Sequence, residues 1–356
     1  MRIGIVTFHC SYNFGSALQA YAIQEAISKL GHSVHLIDYR SNNWEQYRLI
    51  DPKHPRKTIR TLRRFKRFWS REVAFKKFAA QRFQLTRRFD WRNEKKLEVL
   101  QRENDCFVCG SDQIWNLDCT QGVVEPFFLS FAGDKRRVAY APSLAHTSFR
   151  PENFDKGKVA KLLSKFDYLS VREGETVPLF QPLVNKKIEV TLDPTLLLDA
   201  DAYAGMANAY IKEGPYIFTY LLRECPELIE SATAMANEGS YIYYISEKDL
   251  HIPNSVNLFG AGPEEFVSLI AHADAVLTNS FHATVFSILF HRPFRVFATD
   301  ESASRMHNLL GKLGILKRSV ADVDASPVAD ENWNEVDRRL SDLRKGSWDY
   351  LRRALS

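Results

Sequence analysis

The chain has 356 residues, 45% of them hydrophobic, and a net charge of +5, which is enough apolar material for two ordinary cores. No stretch has the uninterrupted apolar length of a membrane span, and Met1-Arg2 runs straight into an apolar strand with no signal-peptide pattern, so a cytoplasmic protein is expected. Its five cysteines are an odd set without an export signal, which argues against a disulfide framework.

Residues 2–8 form an apolar run suited to a buried parallel strand. A polar loop over 9–16, containing Asn13 and Gly15, leads into a helical pattern. Leu18, Tyr21, Ala22, Ile23, Ala26, Ile27 and Leu30 lie on or near one of its faces, and Gly31 stops it. With a strand over 34–39 this is a βαβ opening, and in open parallel sheets ligands bind at the carboxyl ends of the strands, where that loop lies. Asp38 sits where nicotinamide-binding folds carry a ribose-binding acid, but a single glycine, Gly15, stands in place of G-x-G-x-x-G, so a dinucleotide is not expected.

Between Lys53 and Arg88 there are fourteen Lys or Arg and one acid, Glu72, a net +13 that leaves the rest of the chain about 8 units negative. Ile59, Leu62, Phe65, Trp69, Val73 and Phe78 recur at three-to-four spacing through it, the pattern of one or two amphipathic helices. Three roles fit: a solvated helical insertion whose stripe packs on its own domain, an anionic membrane surface, or nucleic acid. Of the functional two the membrane surface is preferred over 53–88, because the aromatics share a face and no nucleic-acid module signature occurs elsewhere.

Residues 105–109 read as a third strand, so Cys106 and Cys109, though spelling C-x-x-C, face opposite sides and cannot chelate together. No metal is expected. The loop that follows holds Gly110, Ser111, Asp112, Gln113, Trp115 and Asn116, either an ordinary Asx-type turn or the polar forks and apolar face that a sugar requires. Strands over 138–143 and 168–172 end in Ser143 and Arg172 at the same expected edge. Arg172 there matches a carboxylate or phosphate, with Glu173 or Glu175 as the alternative partner. Residues 192–195 mark a boundary. A second series follows: strands at 216–222, 241–245 and 256–259, helices at 226–237 and 263–271, then a short strand at 275–277.

After that strand come Thr278, Asn279, Ser280, Phe281 and His282. Ser280 or Asn279 is a natural N-cap, so His282 falls in the first helical turn, where backbone N–H groups and the helix dipole favour an anion and disfavour imidazolium. A histidine so placed suits acid/base transfer on an anionic substrate; a cap beside a satisfied core histidine is the plain alternative. A helix over 281–290, a strand over 294–297, a helix starting at 304–310 with Arg305, and a terminal helix over 333–355 complete the chain.

In order and spacing from residue 3 to about 315, the blocks 12–20, 110–116, 170–173, 192–195, 278–282 and 293–294 resemble the polysaccharide pyruvyl transferase family. The resemblance implies an α/β fold of two Rossmann-like domains facing a cleft, similar to the GT-B glycosyltransferases. The expected plan is an N-terminal domain over 1–197 on the acceptor side with a basic helical insertion at 53–102, a C-terminal domain over 198–330 on the donor side, and a C-terminal helix over 331–356. It also implies transfer of pyruvate from phosphoenolpyruvate to two hydroxyls of a sugar as a ketal, with phosphate released and no further cofactor, in exopolysaccharide and cell-envelope biosynthesis.

By match to the family's motifs His282 corresponds to its acid/base histidine and Arg172 to an arginine that holds the donor. Asn279, Ser280 and Arg305 are then the donor-binding candidates, and Asn13, Gly15, Ser111, Asp112, Gln113, Trp115, Asn116 and Ser143 the acceptor-binding ones. Family members often carry Arg-Leu-His where this chain has Ser280-Phe281-His282, so either Arg305 supplies the missing charge or this branch uses another donor. The partners implied are a sugar or lipid-linked oligosaccharide, with the protein peripheral at the inner face of the membrane. Two other functions stay open at this point: a glycosyltransferase using a nucleotide sugar, and a non-catalytic glycan-assembly protein.

Overall fold

A computed structural model describes residues 1–42, 65–144, 155–210, 212, 214–236, 240–298 and 300–356, with the backbone alone at 65 and 300–304. The part of the basic segment before residue 65, and the helix stop expected at Gly239, lie outside the described residues.

The chain divides into two compact units: Met1–Thr58 with Ala79–Leu198 and Leu343–Ser356, and Ile59–Phe78 with Asp199–Asp342. The basic stretch does not all belong with the N-terminal part, as an insertion over 53–102 would. Ile59–Phe78 groups with unit 2, where Phe68 packs edge-on to Phe259 and Arg71 donates from Nη1 to the Phe259 carbonyl oxygen at 3.0 Å. The terminal helix Trp333–Ala354 is likewise not a separate piece. Its last turns join unit 1, where Tyr350 donates to the Ala139 carbonyl at 2.8 Å, Ser347 Oγ accepts from Leu192 N, and Arg344 donates to the carbonyls of Leu196 and Leu198.

Unit 1 carries strands β1 (Arg2–Val6), β2 (Ser33–Leu36), the short pair β3 (Tyr39–Arg40) and β4 (Phe89–Asp90), β5 (Cys106–Cys109), β6 (Arg136–Ala139), β7 (Tyr168–Val171) and β8 (Ile188–Val190). Six of them form an all-parallel sheet in the order β2-β1-β5-β6-β7-β8. Strands covered on both faces read as unbroken apolar runs; all four residues of β5 are buried. The expected strand over 34–39 splits into β2 and β3, since the chain turns there with Tyr39 N donating to the Ile37 carbonyl at 2.7 Å. β8 has no counterpart in the sequence reading, being three residues long with only Ile188 buried.

Unit 2 repeats the plan with β9 (Tyr216–Tyr220), β10 (Tyr241–Ile245), β11 (Ser255–Asn257), β12 (Ala275–Thr278), β13 (Phe294–Phe297) and β14 (Ser319–Val320), again all parallel, in the order β11-β10-β9-β12-β13-β14. Counted along the chain this is 3-2-1-4-5-6, the doubly wound order, and unit 1 reads 2-1-3-4-5-6. In both, the order reverses beside the first strand: between β1 and β5, and between β9 and β12. The loops at the carboxyl ends of those strands part at that point and leave a crevice.

Candidate active site

In unit 1 the crevice is bounded by the loops after β1 and β5, and side chains tie the two together. Thr7 Oγ1 donates to the Ser111 carbonyl at 3.0 Å, and Ser16 Oγ donates to Asp112 Oδ2 at 2.5 Å. Gly110 allows the approach, since a Cβ there would meet Thr7 Cβ at 3.3 Å. Asn13 caps the helix Phe14–Lys29 by accepting from Ser16 N at 3.1 Å, and Gly15 is buried in its first turn. Asp112 holds a left-handed backbone, φ 66°, a conformation that costs most residues roughly 1–2 kcal/mol and that aspartate tolerates better.

Behind these loops lies a buried ionic network. Arg172 Nε donates to Glu173 Oε1 at 2.8 Å and Nη1 to Asp193 Oδ2 at 2.7 Å. Ser143 Oγ donates to the same Glu173 oxygen, Ser111 Oγ to Asp193 Oδ2, and Thr195 to Asp193 Oδ1. The network thus joins the carboxyl ends of β5, β6, β7 and β8. Burial alone would disfavour the guanidinium charge, but Glu173 and Asp193, with Asp112 beyond them, outweigh it and raise the Arg172 pKa above the ordinary arginine value.

This placement revises several expectations. The Arg172 side chain is 4% exposed and is engaged by two carboxylates of its own unit, the alternative partner Glu173 among them. Trp115 does not offer a face to a sugar: it is 1% exposed, stacks on Phe128 at 5.1 Å within the core, and donates from Nε1 to the Phe127 carbonyl. Ser111 and Ser143 are fully buried members of the network. Asn116 is buried too, capping the short helix Leu117–Thr120 while its Nδ2 donates to Gln113 Oε1. Of the acceptor candidates, Asn13, Asp112 and Gln113 are the partly exposed ones.

A second cluster stands at this edge, and no motif in the sequence announces it. His9 Nδ1 lies 3.1 Å from the Thr7 carbonyl and Nε2 3.1 Å from Asp38 Oδ1, and Arg40 Nε donates to the same oxygen at 2.6 Å. Burial by itself would raise the Asp38 pKa, but the hydrogen bonds from His9 and Arg40 prevail and hold it well below the usual carboxylate range. Beside it, burial pushes the Cys10 thiol up to about 12 against the opposing charge of Arg40, so it is a neutral thiol and no nucleophile. A depressed carboxylate stabilises the fold above its unfolded pKa and loses that contribution as pH falls through the folded value. Asp38→Asn is therefore expected to cost about 3 kcal/mol at neutral pH. The gap to wild type should close as the pH is lowered below the ordinary carboxylate range, read by urea unfolding at a series of pH values.

In unit 2 the crevice is bounded by the loops after β9 and β12. Asn279 joins them, accepting from Leu222 N at 2.8 Å and donating to the Arg223 carbonyl at 3.0 Å, which makes it a positioning residue. Ser280 is the N-cap, its Oγ accepting from Ala283 N, while Thr278 Oγ1 donates to the Tyr220 carbonyl and accepts from Ser280 N. The helix Phe281–Leu289 that starts there is buried at eight of its nine positions, and the exception is His282. Its ring stands edge-on to Phe281 with centroids 5.3 Å apart. Arg305 is half-buried in the helix Asp300–Leu313, whose next residue, Met306, meets Thr284 with Oγ1 to Sδ at 3.9 Å.

Two parallel, doubly wound units, each with polar loops at its switch point, define an α/β protein of the GT-B type. Solved structures agree with that fold. A UDP-GlcNAc 2-epimerase from Neisseria meningitidis bound to UDP-GlcNAc is 10% identical with a TM-score of 0.54 over 99% of this chain and 94% of its own. S. aureus MnaA with UDP is 10% identical with a TM-score of 0.51 over 98% of this chain and 90% of its own. A search of curated protein sequences gives no match. The model of the polysaccharide pyruvyl transferase family matches residues 13–301, and the chain belongs to that family.

Proposed function

We propose that the protein transfers pyruvate from phosphoenolpyruvate to two hydroxyls of one sugar in a glycan precursor, forming a ketal and releasing phosphate. The observation that carries this is His282, the one position of its helix not buried in the unit 2 core, set in the first turn at the switch point. His282 in its imidazolium form, its charge offset by the donor's phosphate and carboxylate, gives a proton to the enol C3, which leaves positive charge at C2 and a neutral imidazole that can take the proton of the incoming hydroxyl. A sugar hydroxyl adds its oxygen to C2 and gives up its proton. The C2–O bond to phosphate then breaks, and the second hydroxyl closes the ketal with loss of its proton. Two protons leave the sugar, one goes to C3 and one to the departing phosphate.

The backbone at the N-terminus of Phe281–Leu289 suits the donor's anionic groups, and Arg305 is the cation nearest in sequence to the residue packed on that helix. On this reading Arg305→Met weakens phosphoenolpyruvate binding about 10- to 100-fold, since a charge-assisted hydrogen bond contributes roughly 1.5–3 kcal/mol. Titration calorimetry reads this directly. Undiminished binding in the variant removes Arg305 from the donor site.

The exposed face of the helix Phe65–Arg82 supports a place at the inner face of an anionic membrane. Trp69 and Val73, one turn apart, are 51% and 45% exposed, and Lys66, Lys76 and Lys77 share their face. Glu72, the segment's one acid, is ion-paired with Lys76. No described helix is long and apolar enough to cross a membrane. Binding to vesicles containing anionic lipid is expected to weaken with salt, at about 1 kcal/mol per lysine near the surface. It should be lost in the variant combining Trp69→Ala, Lys66→Glu and Lys77→Glu; vesicle binding unaffected by those three changes sinks the idea.

A further inference from the structure

Unit 2 contains a cavity of about 400 Å³, within the roughly 300–1,000 Å³ that small-molecule sites occupy. It lies at the carboxyl ends of the first three strands: Tyr220, the last residue of β9, Ile245, the last of β10, and Phe259, two residues past β11, all line it. Asn279 holds the main chain at Leu222 and Arg223, which form part of its wall. Nothing in the pyruvyl-transfer reading uses this space.

Its chemistry is specific. The walls are mainly apolar, with Leu221, Ile229 and Leu250 beside Ile245 and Phe259. Into them the basic helix Phe65–Arg82 contributes Arg71, 9% exposed. Its guanidinium is held by the Phe259 carbonyl and lies 4.8 Å and 5.3 Å from the ring centroids of Phe259 and Phe75. The other charges on the cavity are Arg223, the exposed pair Lys248–Glu224, and Glu247. Glu247 stands two residues beyond the end of β10. In a doubly wound sheet the acid just past the second strand is placed to accept hydrogen bonds from a ribose diol.

We propose that this cavity holds the nucleoside diphosphate of a nucleotide-linked sugar, the base between the apolar walls, the ribose hydroxyls on Glu247 and the diphosphate on Arg71. A lone phosphate or phosphoenolpyruvate leaves most of the volume empty and meets the carboxylates of Glu224 and Glu247 with nothing to donate to them. A nucleotide answers all three features. Sugar carried on such a group is brought to the same carboxyl edge as His282.

The test is binding to the full-length protein, followed by calorimetry with UDP, ADP, their 2′,3′-dideoxy analogues, phosphoenolpyruvate and inorganic phosphate. At least one nucleoside diphosphate is expected to bind, about tenfold or more tighter than its dideoxy analogue, since a carboxylate built to pair a hydroxyl discriminates against its loss. Glu247→Gln should lower affinity for the full nucleotide while abolishing most of its preference for the ribose diol. Arg71→Met should weaken the diphosphate but not the free nucleoside; if that variant fails to fold, the Glu247 cycle decides alone. Binding of phosphate or phosphoenolpyruvate but no nucleotide overturns the proposal, as does a diol preference that Glu247→Gln leaves intact. Because no turnover is read, pyruvyl transfer can fail with this inference standing, and the reverse.

Discussion

Replacing His282 by alanine is expected to lower turnover about 10²- to 10⁴-fold, the usual contribution of a positioned acid/base group, with the melting temperature little changed. The second half of that expectation follows from burial. The other eight residues of Phe281–Leu289 face the core, and the cap made by Ser280 remains. In heavy water the wild-type enzyme should place one deuterium in the methyl group of the ketal, because C3 is protonated from a group that exchanges with solvent. In His282→Ala that incorporation should slow in step with turnover, and intact folding by circular dichroism separates this from a loss of structure.

The largest loss of stability is expected from Arg172. Its side chain, 4% exposed, neutralises Glu173 and Asp193 and through them fixes Ser143, Ser111 and Thr195. Arg172→Met leaves two carboxylates buried without a counter-charge, an effect of about 3–5 kcal/mol, measured as a lower midpoint in denaturant. Adding Asp193→Asn and Glu173→Gln to the methionine variant should recover much of the loss, because the uncompensated charges are then gone. Phosphoenolpyruvate affinity should change far less in a folded Arg172 variant than in Arg305→Met. A donor affinity that collapses in Arg172→Met while stability holds would make Arg172 a direct donor ligand and contradict the structural assignment.

The difference between these two residues shows what sequence carries and what it does not. The corner at Ser280 was readable because its signals are local: an apolar strand, a capping side chain, then an apolar helix within ten residues. The same local logic puts Arg172 at the end of its strand, directly after β7. Its partners were not all readable, since Asp193 lies 21 residues away and meets it only once β7 and β8 pair. The burial of Trp115 is hidden from the sequence for a related reason. A polar-rich loop says nothing of which way its one large ring turns, and here the ring fills the core against Phe128. The His9–Asp38–Arg40 cluster depends on the chain turning between β2 and β3, where the sequence shows one continuous apolar strand. Arg71 was hidden by composition: among fourteen cations in one segment, nothing in the spacing distinguishes the one that is buried.

The central claim is that pyruvate moves from phosphoenolpyruvate to a sugar at His282. The direct measurement uses phosphoenolpyruvate labelled at its carboxyl carbon, with a panel of nucleotide-linked and lipid-linked sugars, following label on the sugar by mass spectrometry together with free phosphate. The account predicts a ketal-bearing sugar and phosphate in equal amounts, both formed about 10²- to 10⁴-fold more slowly with His282→Ala. Label that never reaches any sugar although the acceptor binds, or full transfer by His282→Ala, would contradict it.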